Sequence, residues 1–429
     1  MFMQTLNIFK MYSFIGIKTN LSFFFIIICI LGGLTSCNSD LDGGNIPNAD
    51  PIRLDLIEKI ETDNSFAFDL FRTTNQSSEK STNIFISPLS VNMAISMTMN
   101  GAAGETLDEM KVALRATNYS MDAINKYNKS LRTALLKVDP TSNIAIANAI
   151  LYRNTLEVKN DFITSNKNYY DAEIKALDFS SPNAVKQINN WVSDKTNKKI
   201  PEILNIMDAN NVMCLINAIY FKGIWKNKFN KSDTGDAYFY LEDNLNRKEV
   251  KMMKQSNSFL YNEDDNCRYL KMFYGNTAFS MVVLLPQDDK TVEDVITNLD
   301  NESWQNAISF NNSYKVNLQL PRFKAVCTYQ MEKSILPAMG MKIPFAKYDA
   351  DFSGITDAPF FISEVIHKTF VEVNEEGTEA VAATIKKGVL AAPPPEAIID
   401  YVVNKPFAFA ICENSTGVIL FLGKIGDIN

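Results

Sequence analysis

The chain has 429 residues, a formal net charge of −7 and 46% hydrophobic residues, enough apolar material for one large body or for two or three domains. Its acids outnumber its bases and it has no basic run, which argues against nucleic acid as a partner. It holds one histidine, His367, so HExxH motifs and multi-histidine metal sites are excluded, and a Ser-His-Asp triad would have to use that residue without a GxSxG-like turn.

The first thirty-six residues read as a secretion signal. Lys10 and Lys18 give a positive start, and residues 21–34 form a mostly apolar run ending in small side chains. That run is short of the roughly 20 residues a membrane span needs. It closes on Leu34-Thr35-Ser36-Cys37, which resembles a bacterial lipobox, so the expectation is a lipidated Cys37. An ordinary signal peptide with an incidental cysteine is the alternative. Residues 37–52, polar and broken by Gly43-Gly44 and two prolines, read as a flexible tether. Asp40 and Asp42 resemble the surface-export signals of Bacteroidetes lipoproteins. The expected location is the bacterial outer membrane, with lipid as anchor and the cell surface as one of two possible faces. Residues 1–36 carry two lysines and no acids, so the remaining 393 residues hold a formal charge of −9.

Residues 55–75 and 88–115 place apolar side chains at helical spacing, the second stretch punctuated by Gly101 and Gly104. Residues 184–196 repeat the pattern, with Trp191 on the apolar face. From about residue 212 the texture turns to strand: 212–221, 279–285 and the alternating 314–320. Residues 402–403, 408–412 and 418–422 close the chain as apolar strands. Helices ahead of strands predict a mixed α+β fold. Cys29 falls in the signal. Cys214, Cys267, Cys327 and Cys412 sit in apolar stretches without CxxC spacing and read as buried free thiols, with disulfides left open.

One segment stands apart: Glu375-Glu376-Gly377-Thr378-Glu379-Ala380-Val381-Ala382-Ala383-Thr384. Two acids lead to a glycine and then to small side chains with no polar pattern. Small and β-branched residues offer little bulk to clash with neighbouring strands. The run therefore reads as a segment held outside a fold that later becomes a strand inside it. Because strand side chains alternate, Thr378, Ala380, Ala382 and Thr384 share the inward face and Glu379 begins the outward one. Proline is absent from 377 to 392, so no backbone donor is missing. The fourteen residues from Thr378 to Ala391 would extend about 45 Å at ~3.3 Å each. Lys386 breaks the inward pattern. Either its ammonium snorkels to solvent, or it slows insertion and favours simple cleavage.

Seven strings along the chain point the same way. They are Asn83-Ile84-Phe85-Ile86-Ser87-Pro88-Leu89-Ser90; Asn100-Gly101-Ala102-Ala103-Gly104-Glu105-Thr106; Asn217-Ala218-Ile219-Tyr220-Phe221-Lys222-Gly223-Ile224-Trp225; Leu320-Pro321-Arg322-Phe323; Asp351-Phe352-Ser353-Gly354-Ile355; Asn404-Lys405-Pro406-Phe407-Ala408-Phe409; and Gly417-Val418-Ile419-Leu420-Phe421-Leu422-Gly423. In their order and spacing, from roughly residue 55 to 429, the chain resembles a serpin, and with its lipobox it resembles the lipoprotein serpins of Bacteroidetes.

The resemblance implies a single domain over 53–429, with three β-sheets, eight or nine helices and an exposed reactive-centre loop at about 375–396. It implies no catalytic residue, cofactor or metal, and a monomer that traps a serine or cysteine protease as an acyl-enzyme when the cut loop inserts into the main sheet. Counting forward from Glu375 places the reactive bond at Ala391–Ala392, and counting back from Asn404 places it one residue later. Alanine there suits a shallow, elastase-type pocket, and Leu390 offers a second site. The resemblance groups Ser87, Ser90, Asn217 and His367 as a cluster controlling sheet opening, against the alternative of a satisfied core histidine. It also groups Trp225, Arg322 and Glu375 where the loop enters the sheet. A non-inhibitory serpin, acting as a binding protein or protease substrate, is the alternative function.

Overall fold

The computed structural model describes residues 47–242, 246–309, 312–378 and 398–428. These residues carry nine α-helices and fifteen strands. Helix α1 (Lys59–Gln76) is followed by β1 (Ile84–Ile86), α2 (Pro88–Met99), α3 (Gly104–Ala113), α4 (Met121–Leu135), β2 (Asn143–Arg153), α5 (Asn160–Tyr170), β3 (Glu173–Leu177), α6 (Pro182–Lys195) and the long β4 (Met213–Ile224). Next come β5 (Gly235–Tyr240), β6 (Arg247–Glu263), β7 (Cys267–Phe273), β8 (Phe279–Pro286), α7 (Val292–Asn298), α8 (Asn301–Ile308), β9 (Ser313–Pro321) and β10 (Phe323–Gln330). The chain closes with α9 (Ile335–Ala338), β11 (Glu364–Asn374), β12 (Gly377–Thr378), β13 (Ile399–Val402), β14 (Phe407–Glu413) and β15 (Ile419–Ile425).

Six strands form the main sheet in the order β10-β11-β12-β4-β2-β3. The other nine form a second hydrogen-bonded sheet, in which the long β6 pairs in turn with β5, β9 and β7. By hydrogen bonding the three expected sheets thus read as two among the described residues, because β6 runs through both of the smaller ones. Strand β4 is buried along almost all its length. Its Leu215, Ile219 and Phe221 join the principal core on one face; Cys214, Ile216, Ala218 and Tyr220 join a second cluster on the other. Strands with two covered faces lose the alternating pattern and read as continuous apolar runs, which is how 212–221 reads in the sequence.

Helix α2 lies on the principal-core side. Ser87 caps it by accepting a hydrogen bond from Ser90 N, Pro88 fits its first turn, and all twelve of its residues are buried. Helix α6, capped by Ser181, covers the opposite face with Ile188 and Val192. Trp191 is only partly buried against that cluster.

The expected helix over 88–115 is two helices, with the break at residues 100–103. There Gly101 lies against Ile355 so closely that a Cβ would sit 2.2 Å from Ile355 Cγ1. Residues 47–52, read as part of the tether, are fastened by Ala49 N to Asn276 O (2.9 Å) and Ile52 N to Ser415 Oγ (2.9 Å). Strand β2 and helices α4 and α5 were not legible. The β2 sequence mixes Asn and Ala, poor strand formers that burial between β3 and β4 overrides.

Candidate functional site

The seam between β4 and β11 organises the site. The two strands pair in parallel from Cys214↔Glu364 to Tyr220↔Phe370 and then part. Into the opening comes β12, pairing antiparallel with both: Thr378 faces Gly223 on one side and Val373 on the other, and Gly377 faces Ile224 and Asn374. The first two residues of the small-residue run are already strand.

The turn that returns the chain from β11 to β12 requires glycine. Gly377 has φ +151°, and a Cβ there would lie 2.0 Å from Gly223 O. Asn374 Oδ1 accepts from Glu376 N at 3.0 Å and shapes the turn. Thr378 is buried, its hydroxyl 2.7 Å from that of Tyr274. The Tyr274 ring lies over Gly223, where a Cβ would meet it at 2.7 Å, and stacks on Trp225 with centroids 4.4 Å apart. Trp225 in turn donates through Nε1 to Asn374 O (2.9 Å) and through its backbone N–H to Glu376 O (2.8 Å).

Two carboxylates anchor the turn. Glu375, 2% exposed, takes a fork from Arg322 Nε and Nη2 at 2.5–3.0 Å and a third bond from Thr234 Oγ1 at 2.5 Å. Burial works against its charge, yet the bonds from Arg322 and Thr234 hold the carboxyl below its ordinary range. Glu376 is likewise opposed by burial and held down by Lys228 (2.9 Å) and Lys231 (3.1 Å). The structure therefore brings Trp225, Arg322 and Glu375 together. Tyr274, Thr234, Lys228 and Lys231 were missed, although the run of lysines just after Trp225 was a usable signal for the last two.

The second cluster crosses the seam lower down. Asn148 on β2, Asn217 on β4 and His367 on β11 lie on one rung of the main sheet. His367 Nε2 accepts from Ser87 N at 3.0 Å, which leaves the proton on Nδ1 to donate to Asn217 Oδ1. Asn217 Nδ2 donates to Ser90 O (3.1 Å), Ser90 Oγ and Asn148 Oδ1 (2.6 Å). Ser87 Oγ donates to Leu420 O at 2.7 Å. Ser87, Ser90, Asn217 and His367 are thus joined in one network, which Asn148 completes. Complete burial drives the His367 pKa down to about 3, so the ring is neutral.

Glu379, Ala380, Val381, Ala382, Ala383, Thr384, Lys386, Leu390, Ala391 and Ala392 lie outside the described residues, as does Cys37. The thiols of Cys214, Cys267, Cys327 and Cys412 are free and buried, and burial pushes each of them up.

Residues 61–428 match the family model described as Serpin (serine protease inhibitor). The leukocyte elastase inhibitor of horse is 38% identical over 388 residues, covering 86% of this chain and 100% of the relative. Leukocyte elastase inhibitor A of rat is 36% identical, with 86% and 99% covered. Among solved structures, the thermophilic serpin tengpin in its native state superposes with a TM-score of 0.81 at 34% identity, covering 89% of this chain and 97% of tengpin. Thyroxine-binding globulin in complex with thyroxine superposes at 0.78 with 27% identity, covering 87% and 100%.

Proposed function

The chain belongs to the serpin (serine protease inhibitor) family, and on that premise we propose that it is an irreversible, single-use inhibitor of serine proteases with elastase-like preference rather than an enzyme. The supporting observation is the seating of Gly377 and Thr378 between β4 and β11. The seam is already parted at its head, and the residues that follow have the small side chains that pairing further down would need. A protease that attacks this loop forms an acyl-enzyme through its own nucleophile. Pairing of the freed loop down the seam then carries the attached protease to the far end of the sheet before water releases it.

The alanines at 391 and 392 support a target with a shallow pocket, and Leu390 a secondary cut. The inhibitors named after leukocyte elastase among the relatives support the same preference. The apolar run of residues 21–34 just ahead of Cys37 supports export and a lipid anchor on the outer membrane. Cys37→Ala should move the protein from the membrane to the soluble fraction and abolish labelling by a fatty-acid analogue.

The test is incubation of the mature protein with pancreatic or neutrophil elastase, read on a denaturing gel and by mass spectrometry. A band at the summed mass and a released peptide beginning at Ala392 are expected. Cleavage without that band would replace the inhibitory reading by the substrate or binding one.

A further inference from the structure

The lower end of the β4–β11 seam is the Cys214↔Glu364 rung. The Oε2 atom of Glu364 is sealed from solvent and has no hydrogen-bond partner among the described residues. Glu364 has the strand parity of Ile366 and Phe370, which pack beneath α6, so its side chain faces that side. A second carboxylate, Glu332, lies close by and accepts from Val365 N at 3.0 Å. Burial, with Glu364 adding to it, pushes that carboxyl up, and Lys333 offsets part of this. The Cys214 thiol is pushed up by burial and then by the charges of Glu364, Glu332 and Asp208. The foot of the seam is therefore negative, and Glu364 has no ion-pair partner among the described residues.

The pairings of β12 fix what would arrive there. Thr378 faces Gly223 and Val373, and Gly377 faces Ile224 and Asn374, so each further loop residue meets β4 and β11 one position lower. This register implies the same offset between β4 and β11 that the closed seam displays, in which Cys214 faces Glu364 and Tyr220 faces Phe370. Continued without a bulge, Val381 falls at Tyr220 and Phe370, Ala383 at Ala218 and Lys368, and Ile385 at Ile216 and Ile366. Lys387 then falls at Cys214 and Glu364. These four share the outward parity with Glu379, which meets Lys222 on β4 and Glu372 on β11. Lys386 and Lys387 are the only basic residues between Gly377 and Ile398.

Resting on the insertion reading above, we propose that the foot of the seam is a docking site for the chain's own Lys386-Lys387 segment, in which the Lys387 ammonium closes on the Glu364 carboxylate once the cut loop has paired down the sheet. The contact forms at the seventh and last rung of the present seam, counted from Tyr220. It gives the unpartnered oxygen of Glu364 a donor that no described residue of the uncut protein supplies, and charge-assisted bonds of this kind are the stronger ones. It therefore favours completed over partial insertion.

Cys214 is a built-in reporter of this register, since directly opposed residues on one sheet face hold their Cβ atoms about 4.5–5.5 Å apart. The Lys387→Cys variant is cut by elastase, treated with dibromobimane and digested. A linked peptide pair joining positions 214 and 387, absent before cutting and in Lys387→Cys/Cys214→Ser, is expected. In parallel, the guanidinium midpoint of the cut protein is measured for Glu364→Gln, Lys387→Gln and the double variant. Each single change should lower it equally, and the double by no more than either. If the cut wild-type protein gains no stability over the uncut one, insertion is wrong and the latch falls with it. A gain in stability accompanied by a link elsewhere, or by additive effects of the two substitutions, overturns the latch alone.

Discussion

His367 on β11 and Asn217 on β4 occupy one rung of the parallel seam, and their side chains are hydrogen-bonded across it. Any strand that comes between β4 and β11 at this level must break that bond. The pair is tied to the N-terminus of α2 by Ser87 N to His367 Nε2 and by Asn217 Nδ2 to Ser90. Opening the sheet at this level would disturb α2 as well, and we propose that the rung acts as a staple on the native form.

The staple should be sensitive to acid. The His367 pKa is about 3 in the fold against 6.5 ordinarily, so between these values the unfolded chain holds a proton that the native state lacks. Stability from this residue is complete above pH 6.5 and falls as the pH drops toward about 3. At pH 5 the loss is roughly 2 kcal/mol, at about 1.4 kcal/mol per pH unit. The unfolding free energy from denaturant titration should fall between pH 7 and pH 5 by about 2 kcal/mol more in the wild type than in His367→Gln, whose side chain does not titrate. Equal pH slopes for the two proteins would contradict a buried neutral imidazole.

Arg322 should restrain the hinge. The Arg322→Ala variant leaves the Glu375 carboxylate, 2% exposed, with Thr234 as its remaining side-chain partner. Stranding such a group costs roughly 1–3 kcal/mol, here toward the lower end because Arg322 is 43% exposed and water screens the pair. Glu375→Lys adds repulsion by placing two cations together. Both variants should lose monomer to polymer or to an inactive monomer on mild heating, Glu375→Lys faster, as followed by size-exclusion chromatography and residual elastase inhibition. A Glu375→Lys protein that stayed monomeric and inhibitory would show that the pair restrains nothing.

Much of this site was legible in the sequence for a physical reason. The turn into β12 needs a glycine and then a small residue that fits between β4 and β11, and Gly377 and Thr378 meet those demands at consecutive positions. The His367 and Asn217 pair was reachable only through family resemblance, since residues 150 apart in the chain meet solely by strand register. Asn148 and Tyr274 escaped notice because an asparagine in an alanine-rich run and one tyrosine among many carry no local signal. The helix break at residues 100–103 was marked by Gly101 and Gly104, whereas β2 was hidden because tertiary burial overrode its weak propensity.

Gly377 tests whether the hinge is seated. A Cβ at this position would stand 2.0 Å from Gly223 O at φ +151°, so Gly377→Val cannot keep the β12 pairings. The body should fold, while the amides of Thr378 and its neighbours on the Gly223 and Val373 rungs lose hydrogen-exchange protection. Fluorescence should shift as well, because Trp225 stacks on the tyrosine that holds Thr378. Unchanged protection at these amides would mean that the hinge lies outside the sheet.

Thr384 tests what replaces the staple. The register that places Lys387 at Glu364 places Thr384 on the rung of Asn217 and His367, with the inward parity of Thr378. Insertion there separates the imidazole from the amide and leaves two buried polar groups in need of partners. A threonine hydroxyl both donates and accepts and can serve either group. The Thr384→Val variant keeps the shape and removes the hydroxyl, so the cut and inserted form should lose roughly 1–3 kcal/mol. The uncut form, in which His367 and Asn217 satisfy each other, should keep its denaturant midpoint. Because the penalty arises late in insertion, more of the inhibitor should be released as cleaved product per protease trapped, measured as a higher stoichiometry of inhibition. An equal loss of stability in cut and uncut protein would place Thr384 in the native core instead, and no loss in either would remove it from the rung.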